Sequence, residues 1–426
     1  MHTIIRFGVL GVAIATSVVR ANAQRGGEPV RDSVSLPAIQ DAAERASPRI
    51  QAARAMSRAA ATRIPSASRL PDPQLQLGWM NYDLATFGRM PATGMTQIQL
   101  MQMVPAPGKL RIAGQIEASR AEASATRIAD AALEIRANAA VLFYELHKAG
   151  GMLSAMRDSR RLLQDIAAIA SQMYAVGDGR QADVLRANVE IARMDEEIIR
   201  TQSMRTALQS RLNALLTQPI ETPIGAPRLP GFPREVAPLD SFVALAERNR
   251  PALRAAHQDV TTADGAVRLA TKQIWPDLQV GVQFGQQSGP AGTQYAGSLM
   301  FGVSLPTYAR NRQLQMRAEA GAMREAALAD LASMRVETRA VIAEAYADLM
   351  RARRLAELYR TAVLPQADAT VTSSLAAYRG GSVNLMTLLD AQMVLNRYRQ
   401  ELSTLQSDEG KAWAELEMLT GGGLPK

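Results

Sequence analysis

Two hydrophobic periods alternate along the chain. From Leu70 to Tyr82 apolar residues recur at every second position, with Leu75, Leu77 and Trp79 on one face and Gln74, Gln76 and Gly78 on the other. Asp83 to Gly94 reads as a loop. A returning strand, Gln97–Val104, sets Ile98, Leu100 and Gln102 against Gln97, Gln99 and Met101. The chain then turns through Pro105-Ala106-Pro107-Gly108-Lys109 and changes period. No proline follows until Pro219, and Leu, Ile and Met recur at three- and four-residue spacing in an Ala-rich register. This predicts helices over about 108–176 and 181–217. The first, of roughly 70 residues, would be on the order of 100 Å long.

The same object occurs twice. Pro73-Gln74-Leu75-Gln76-Leu77-Gly78 corresponds to Pro276-Asp277-Leu278-Gln279-Val280-Gly281, and Val104-Pro105 to Leu305-Pro306. Further on, Tyr174-x-x-Gly177 and Leu185-x-Ala187 correspond to Tyr378-x-x-Gly381 and Leu389-x-Ala391. Anchors in one order, at a nearly constant offset, mark an internal duplication. In the second copy Leu278, Val280, Val282 and Phe284 alternate with Gln279, Gly281, Gln283 and Gly285. After a loop at 286–294, Leu299, Phe301, Val303 and Leu305 alternate with Ser298, Met300, Gly302 and Ser304. Helices are predicted over 308–378 and 383–419. The first repeat spans 35–218, with its hairpin at 72–104 and helix reversal near 177–180. The second spans 239–420, with its hairpin at 276–305 and reversal near 379–382. Between them lies a Pro-rich connector, 219–238, that is neither helix nor central strand. Before Pro65 a helical register runs over 38–63, interrupted at Pro48. Gly150-Gly151 and Pro365 are expected irregularities of the long helices.

Residues 1–23 have the form of a secretory signal, with Arg6 in the charged region, an apolar run over 7–19 and Ala21-Asn22-Ala23 before the cut. An uncleaved anchor is the other reading, though the run is shorter than the ~20 residues a span needs. Residues 24–34 form a polar tail, and 421–426 a short C-terminal one. No later stretch is apolar enough to cross a membrane as a helix. The absence of cysteine fits an exported chain and excludes thiol nucleophiles and thiolate metal sites. Net charge is +8. Arginine is interleaved with acid along the helices, as in Glu117-x-x-Arg120, which marks solvated faces and not a nucleic-acid surface.

Strands with one apolar and one Gln/Ser/Gly face suit an outer membrane, lipid on one side and water on the other. The plainer reading is a half-buried hairpin on a soluble domain. Two hairpins are too few to close a barrel, and lipid tolerates no open edge, so the membrane reading requires other copies of the chain.

The succession strand, Pro-x-Pro-Gly-Lys, long helix, Tyr-x-x-Gly, then Leu-Leu-Asp-Ala-Gln, resembles the TolC-like outer-membrane efflux channels over nearly the whole chain. The resemblance implies a mostly α fold with a β-barrel part. Three copies would form a twelve-stranded transmembrane barrel continuous with a periplasmic α-helical barrel. It further implies a passive duct rather than an enzyme, without cofactor or metal. Its partners would be a periplasmic adaptor (membrane fusion) protein and an inner-membrane pump of RND type, with lipid around the barrel and no nucleic acid. The stretch Gln102 to Leu110 looks most like the branch serving heavy-metal cation pumps. Drug efflux and type I protein secretion remain as other cargoes.

By the same resemblance, Pro105, Pro107, Gly108, Lys109 and Pro306 mark the barrel-to-helix junctions. Tyr174, Val176, Gly177, Asp178 and Gly179, with Gly380, Gly381 and Ser382, would form the adaptor-docking tips. Tyr378, Thr387 and Asp390 would lie at the constriction. The family's motif there has two aspartates three apart, and an arginine after the turn. Here Thr387 stands at the first aspartate and Val383 at the arginine, so a single ring of carboxylates from Asp390 is expected. A solvated surface aspartate is the plainer alternative. Met80, Met90, Met95, Met101 and Met103 suggest soft-metal binding, but read more simply as packing and lining. His147 and His257 are isolated, and no nucleophile elbow, His-x-x-x-His or Walker loop occurs. The rival from another class is a soluble periplasmic coiled-coil scaffold.

Overall fold

The computed structural model describes residues 33–80, 85, 95–233, 235–289 and 292–424. The expected signal, residues 24–32 of the polar tail, Met90 and nearly all of the loop at 83–94 lie outside them.

Two short helices precede the first hairpin. α1 (Leu36–Ala46) and α2 (Pro48–Ser68) meet at Ser47, whose hydroxyl accepts from the Ile50 N–H at 3.4 Å. Pro48 sits in the first turn of α2, where its missing N–H costs nothing. The expected stop before Pro65 does not occur, since α2 continues through it to Ser68. Only the final turn follows Pro65, and there the Ser66 and Ser68 hydroxyls donate to the carbonyls of Arg63 and Ile64. The polar tail is also shorter than expected. Ser33–Ser35 (β1) pairs in parallel with Ala226–Arg228 (β4) of the connector. Pro227 is tolerated because this ribbon has only two strands.

Four longer strands form one antiparallel sheet in the order β2-β3-β5-β6: Gln74–Met80, Met95–Val104, Leu278–Gly289 and Gly292–Val303. The second hairpin is longer than its hydrophobic pattern indicates. Pairing continues through most of the expected loop to Gly289 opposite Gly292, because a backbone ladder does not depend on apolar side chains. The register stacks Leu75, Leu100, Val282 and Leu299 in one row and Leu77, Ile98 and Phe284 in the next. All seven are exposed.

The sheet feeds α3 (Lys109–Ala175), which has 67 residues and at 1.5 Å per residue extends about 100 Å. It returns as α4 (Gln181–Leu215). In the second repeat α5 (Leu239–Asn249) and α6 (Pro251–Lys272) precede the sheet, and α7 (Gln313–Leu358) follows it. A π-helical turn, Tyr359–Val363, leads into α8 (Leu364–Arg379), and α9 (Leu385–Leu419) returns. The irregularity expected at Pro365 thus appears one turn earlier. The Leu364 N–H donates to the Tyr359 carbonyl, five residues back, which widens the turn ahead of a residue that cannot donate. Gly150-Gly151 causes no break. A Cβ on Gly151 would lie 2.5 Å from Ser403 Oγ, so this glycine lets α3 and α9 approach closely. Gly410 does the same against the buried Tyr144 ring. Glu145 and Lys411, paired at 2.7 Å, join the two helices beside it. Among the described residues no helix is long and apolar enough to cross a membrane.

Gly410→Ala forces a methyl group into the Tyr144 ring and is expected to cost about 1–3 kcal/mol, read as a lower thermal midpoint in detergent. Gly321→Ala, in open space on α7, is expected to be neutral or stabilising by up to about 1 kcal/mol.

Candidate functional site

Three regions carry the residues singled out above: the sheet's polar face, its foot and the far helical tips. On the polar face the rows are Gln76-Gln99-Gln283-Ser298 and Gly78-Gln97-Gly285-Ala296. Gln97 lies across Gly78, where a Cβ would meet its amide nitrogen at 2.8 Å, and accepts from Gln283 Nε2 at 2.5 Å. Met80 pairs with Met95 in register. Met101 and Met300 flank Gly281 in another row. The methionines therefore share the polar face. Among the described residues no three His, Cys, Asp or Glu side chains gather as a metal site.

On the opposite face, exposed aromatics bracket the apolar rows. Trp79, Phe284 and Tyr295 lie toward the hairpin ends, while Trp275 and Tyr308, outside the strands, are exposed near the foot. From Tyr295 to Val303 is about 26 Å of strand. Tilted by roughly 40°, it covers a band about 20 Å tall, close to the ~25 Å of an outer-membrane apolar belt.

At the foot, Gly108 adopts a left-handed φ of +90° and opens α3 at Lys109. The Lys109 ammonium is 2.7 Å from Asp277 Oδ1 and donates to the Trp275 carbonyl at 2.9 Å. The Ala106 N–H donates to the same carboxylate oxygen at 2.7 Å. Lys109 was expected at a junction, but its partners were not. The available signal was that Pro276-Asp277 opens β5 at the level where Pro105 closes β3. Burial by itself would raise the Asp277 carboxyl. The Lys109 hydrogen bond, the Ala106 N–H and the Lys109 charge outweigh it and hold the group below the ordinary carboxylate range.

At the far end, α3 reverses through Gly177 (φ +87°), and the Asp178 and Gly179 N–H groups donate to the Met173 carbonyl at 2.9 and 3.0 Å. α8 reverses through Gly381 (φ +70°), with the Ser382 N–H and hydroxyl each donating to the Ala377 carbonyl at 3.0 Å. Gly380 caps α8 by donating to the Ala376 carbonyl. Tyr174 and Val176 are exposed at the first turn. The turns share one core, in which Leu163, Ile166, Met194, Leu385, Leu388 and Leu389 pack together.

The structure brings Thr387 and Asp390 together and leaves Tyr378 apart from them. Thr387 and Asp390 are exposed on α9 and line a groove of about 550 Å³ facing α8, with Thr370, Ser374 and Gln366 opposite. Thr387 is committed locally: its N–H and its hydroxyl both donate to Asn384 Oδ1 at 3.0 Å, capping α9. Tyr378 is only 4% exposed and belongs to the tip core. Burial pushes its phenol up, and the Asp183 carboxylate adds to the shift. The Gln392 amide donates to Ser159 Oγ at 3.1 Å in the interior, tying α9 to α3.

Residues 243–422, most of the second repeat, match the family model described as outer membrane efflux protein. Comparison with curated protein sequences finds no match. The whole fold is similar to several solved structures. One is the outer membrane protein VceC from Vibrio cholerae, at 20% identity and TM-score 0.77, over 91% of this chain and 96% of that one. Another is the open state of the Neisseria gonorrhoeae MtrE outer membrane channel, at 16% and 0.74, over 91% and 89%. A third is CusC, described in a study of folding and transmembrane channel formation, at 15% and 0.77, over 91% and 92%. At such identities the likeness is one of fold.

Because the Asp277 carboxyl is held below its ordinary value of 3.8, its contribution to stability is complete above that value. It is lost as the pH falls through the lower, folded-state value. Asp277→Asn is expected to lower the thermal midpoint at neutral pH and to flatten its fall below about pH 4, as measured by unfolding scans across pH.

Proposed function

We propose that this chain is an outer membrane efflux protein, and that three copies form the exit duct of a tripartite efflux system. The observation that carries the reading is the four-stranded sheet. It has an exposed apolar band on one face, a Gln/Gly/Ser/Met face on the other, and both outer strands open. Three such sheets joined edge to edge close a twelve-stranded barrel with lipid outside and water within. The long helices carry the duct inward across the periplasm to the tips. There a periplasmic adaptor docks at Gly177–Gly179 and Gly380–Ser382 and connects the duct to an inner-membrane pump of the RND type.

The duct does no chemistry. The pump supplies the energy, and the channel supplies a path that is closed at rest and open when engaged. Opening requires the adaptor to bind the splayed tip more tightly than the closed one. The buried Gln392–Ser159 bond means that α9 and α3 must either move together or break this tie. At the constriction, Asp390 from each copy forms a ring of three carboxylates that favours cations. Thr387 beside it is engaged in its helix cap and adds no charge. For cargo we propose heavy-metal cations. The Asp390 ring and the methionines of the polar face support this reading, as does the resemblance of the Gln102–Leu110 turn. A duct gains nothing by holding its cargo tightly, so weak, successive contacts suit the task better than a closed metal site.

The test is single-channel conductance of the purified protein in a planar bilayer. A small cation-selective conductance is expected, with Asp390→Ala losing most of the selectivity. Conductance unchanged in Asp390→Ala would retain the duct and remove Asp390 from the constriction. A protein that stays soluble without detergent and never inserts would be a periplasmic scaffold instead.

At the tips, Gly177→Val and Gly381→Val each place a β-branched residue at positive φ, at a cost of about 1–2 kcal/mol. Both are expected to reduce adaptor crosslinking and cellular efflux while leaving bilayer insertion unchanged.

A further inference from the structure

The seam between the two repeats is fastened at its foot by one cation. Lys109 follows β3 and reaches the Asp277 carboxylate and the Trp275 carbonyl, which precede β5. The duplication assigns each of these residues a counterpart. The match of Val104-Pro105 with Leu305-Pro306 carries Lys109 onto Arg310. The match of Pro73-Gln74 with Pro276-Asp277 carries Asp277 onto Gln74 and Trp275 onto Asp72. These counterparts lie at the foot of the sheet's two open edges, because Arg310 follows β6 and Asp72 precedes β2. Both side chains are exposed, and among the described residues neither has an ion-pair partner within the chain.

Resting on the trimeric barrel above, we propose that Arg310 of each copy forms an ion pair with Asp72 of the next and fastens the seam between copies. The internal seam is the template. Its antiparallel pairing of β3 with β5 ends where the turn after β3 meets the residues before β5. Between copies, the turn after β6 meets the residues before β2 in the same way. The Ala106 contact has no equivalent there, since its counterpart Thr307 already donates its N–H to the Leu305 carbonyl at 2.9 Å. The acid has moved two residues toward the N-terminus, onto the counterpart of Trp275. The cation there is a guanidinium, which is longer than an ammonium and takes a carboxylate with two parallel N–H bonds. The barrel foot then carries alternating Lys109–Asp277 and Arg310–Asp72 pairs.

The test uses the full-length protein in detergent, with native mass spectrometry to count copies and heating to find where the trimer dissociates. Arg310→Asp and Asp72→Arg are each expected to lower that temperature. The two together are expected to restore it, and Arg312→Asp, in the same turn, to leave it unchanged. The chain lacks cysteine, so Arg310→Cys with Asp72→Cys provides a second readout that needs no charge reversal. A short bismaleimide is expected to link these copies into a covalent trimer. A wild-type trimer in which the reversals do not rescue each other, and the cysteines do not link, would overturn the ion pair and leave the barrel standing. A wild-type monomer would overturn the barrel reading itself, and the pair with it.

Discussion

In hydrocarbon, a backbone N–H or C=O on a sheet edge has no water to bond, and each one left open costs several kcal/mol. β2 and β6 are the two outer strands of a four-stranded sheet whose apolar face is exposed along its whole length. In the proposed reading that face meets lipid, and in lipid the sheet requires neighbours on both sides. A single chain cannot bend four strands into a closed barrel, so the missing strands must come from other copies. The proposed trimer, the shared barrel and the pairing of one copy's β6 with the next copy's β2 all follow from this constraint.

The rest of the fold delivers the sheet to that arrangement and connects it to the periplasm. Lys109 and Asp277 bind the two hairpins at the level where strand becomes helix, so that the repeats form one sheet. Below them, glycines at Gly151 and Gly410 let α9 lie close on α3, as the wall of the proposed duct requires. At the far end, left-handed glycines turn each helix pair back within a few residues. The exposed turns therefore stand clear of the core that supports them.

Much of this was legible in the sequence, because period-two and helical patterns differ sharply and the duplication reports each of them twice. The strand faces, the four long helices and both reversals were readable from Leu75, Leu77 and Trp79, from Val280, Val282 and Phe284, and from the paired glycines. The outer part of the second hairpin was not, because its Gln, Ser and Thr residues alternate without hydrophobic contrast while the backbone still pairs. The β1–β4 ribbon was missed for a similar reason: three residues on each side, one of them Pro227, form no pattern. Tyr378 was placed at the constriction by the family resemblance alone. Its side chain faces inward among Leu385 and Leu388, and residue type alone does not report that orientation. The Lys109–Asp277 bond joins residues 168 apart, and only the register of β3 on β5 brings them together.

The most direct test of the account is amide hydrogen exchange of the protein in lipid nanodiscs, resolved at the two outer strands. If other copies close the barrel, the outward-facing amides of β2 and β6 will be protected as strongly as those at the β3–β5 seam. Exchange at those two edges at the rate of free backbone, beside a protected β3–β5 seam, would mean that the edges stay open. It would contradict the shared barrel on which the proposed function rests.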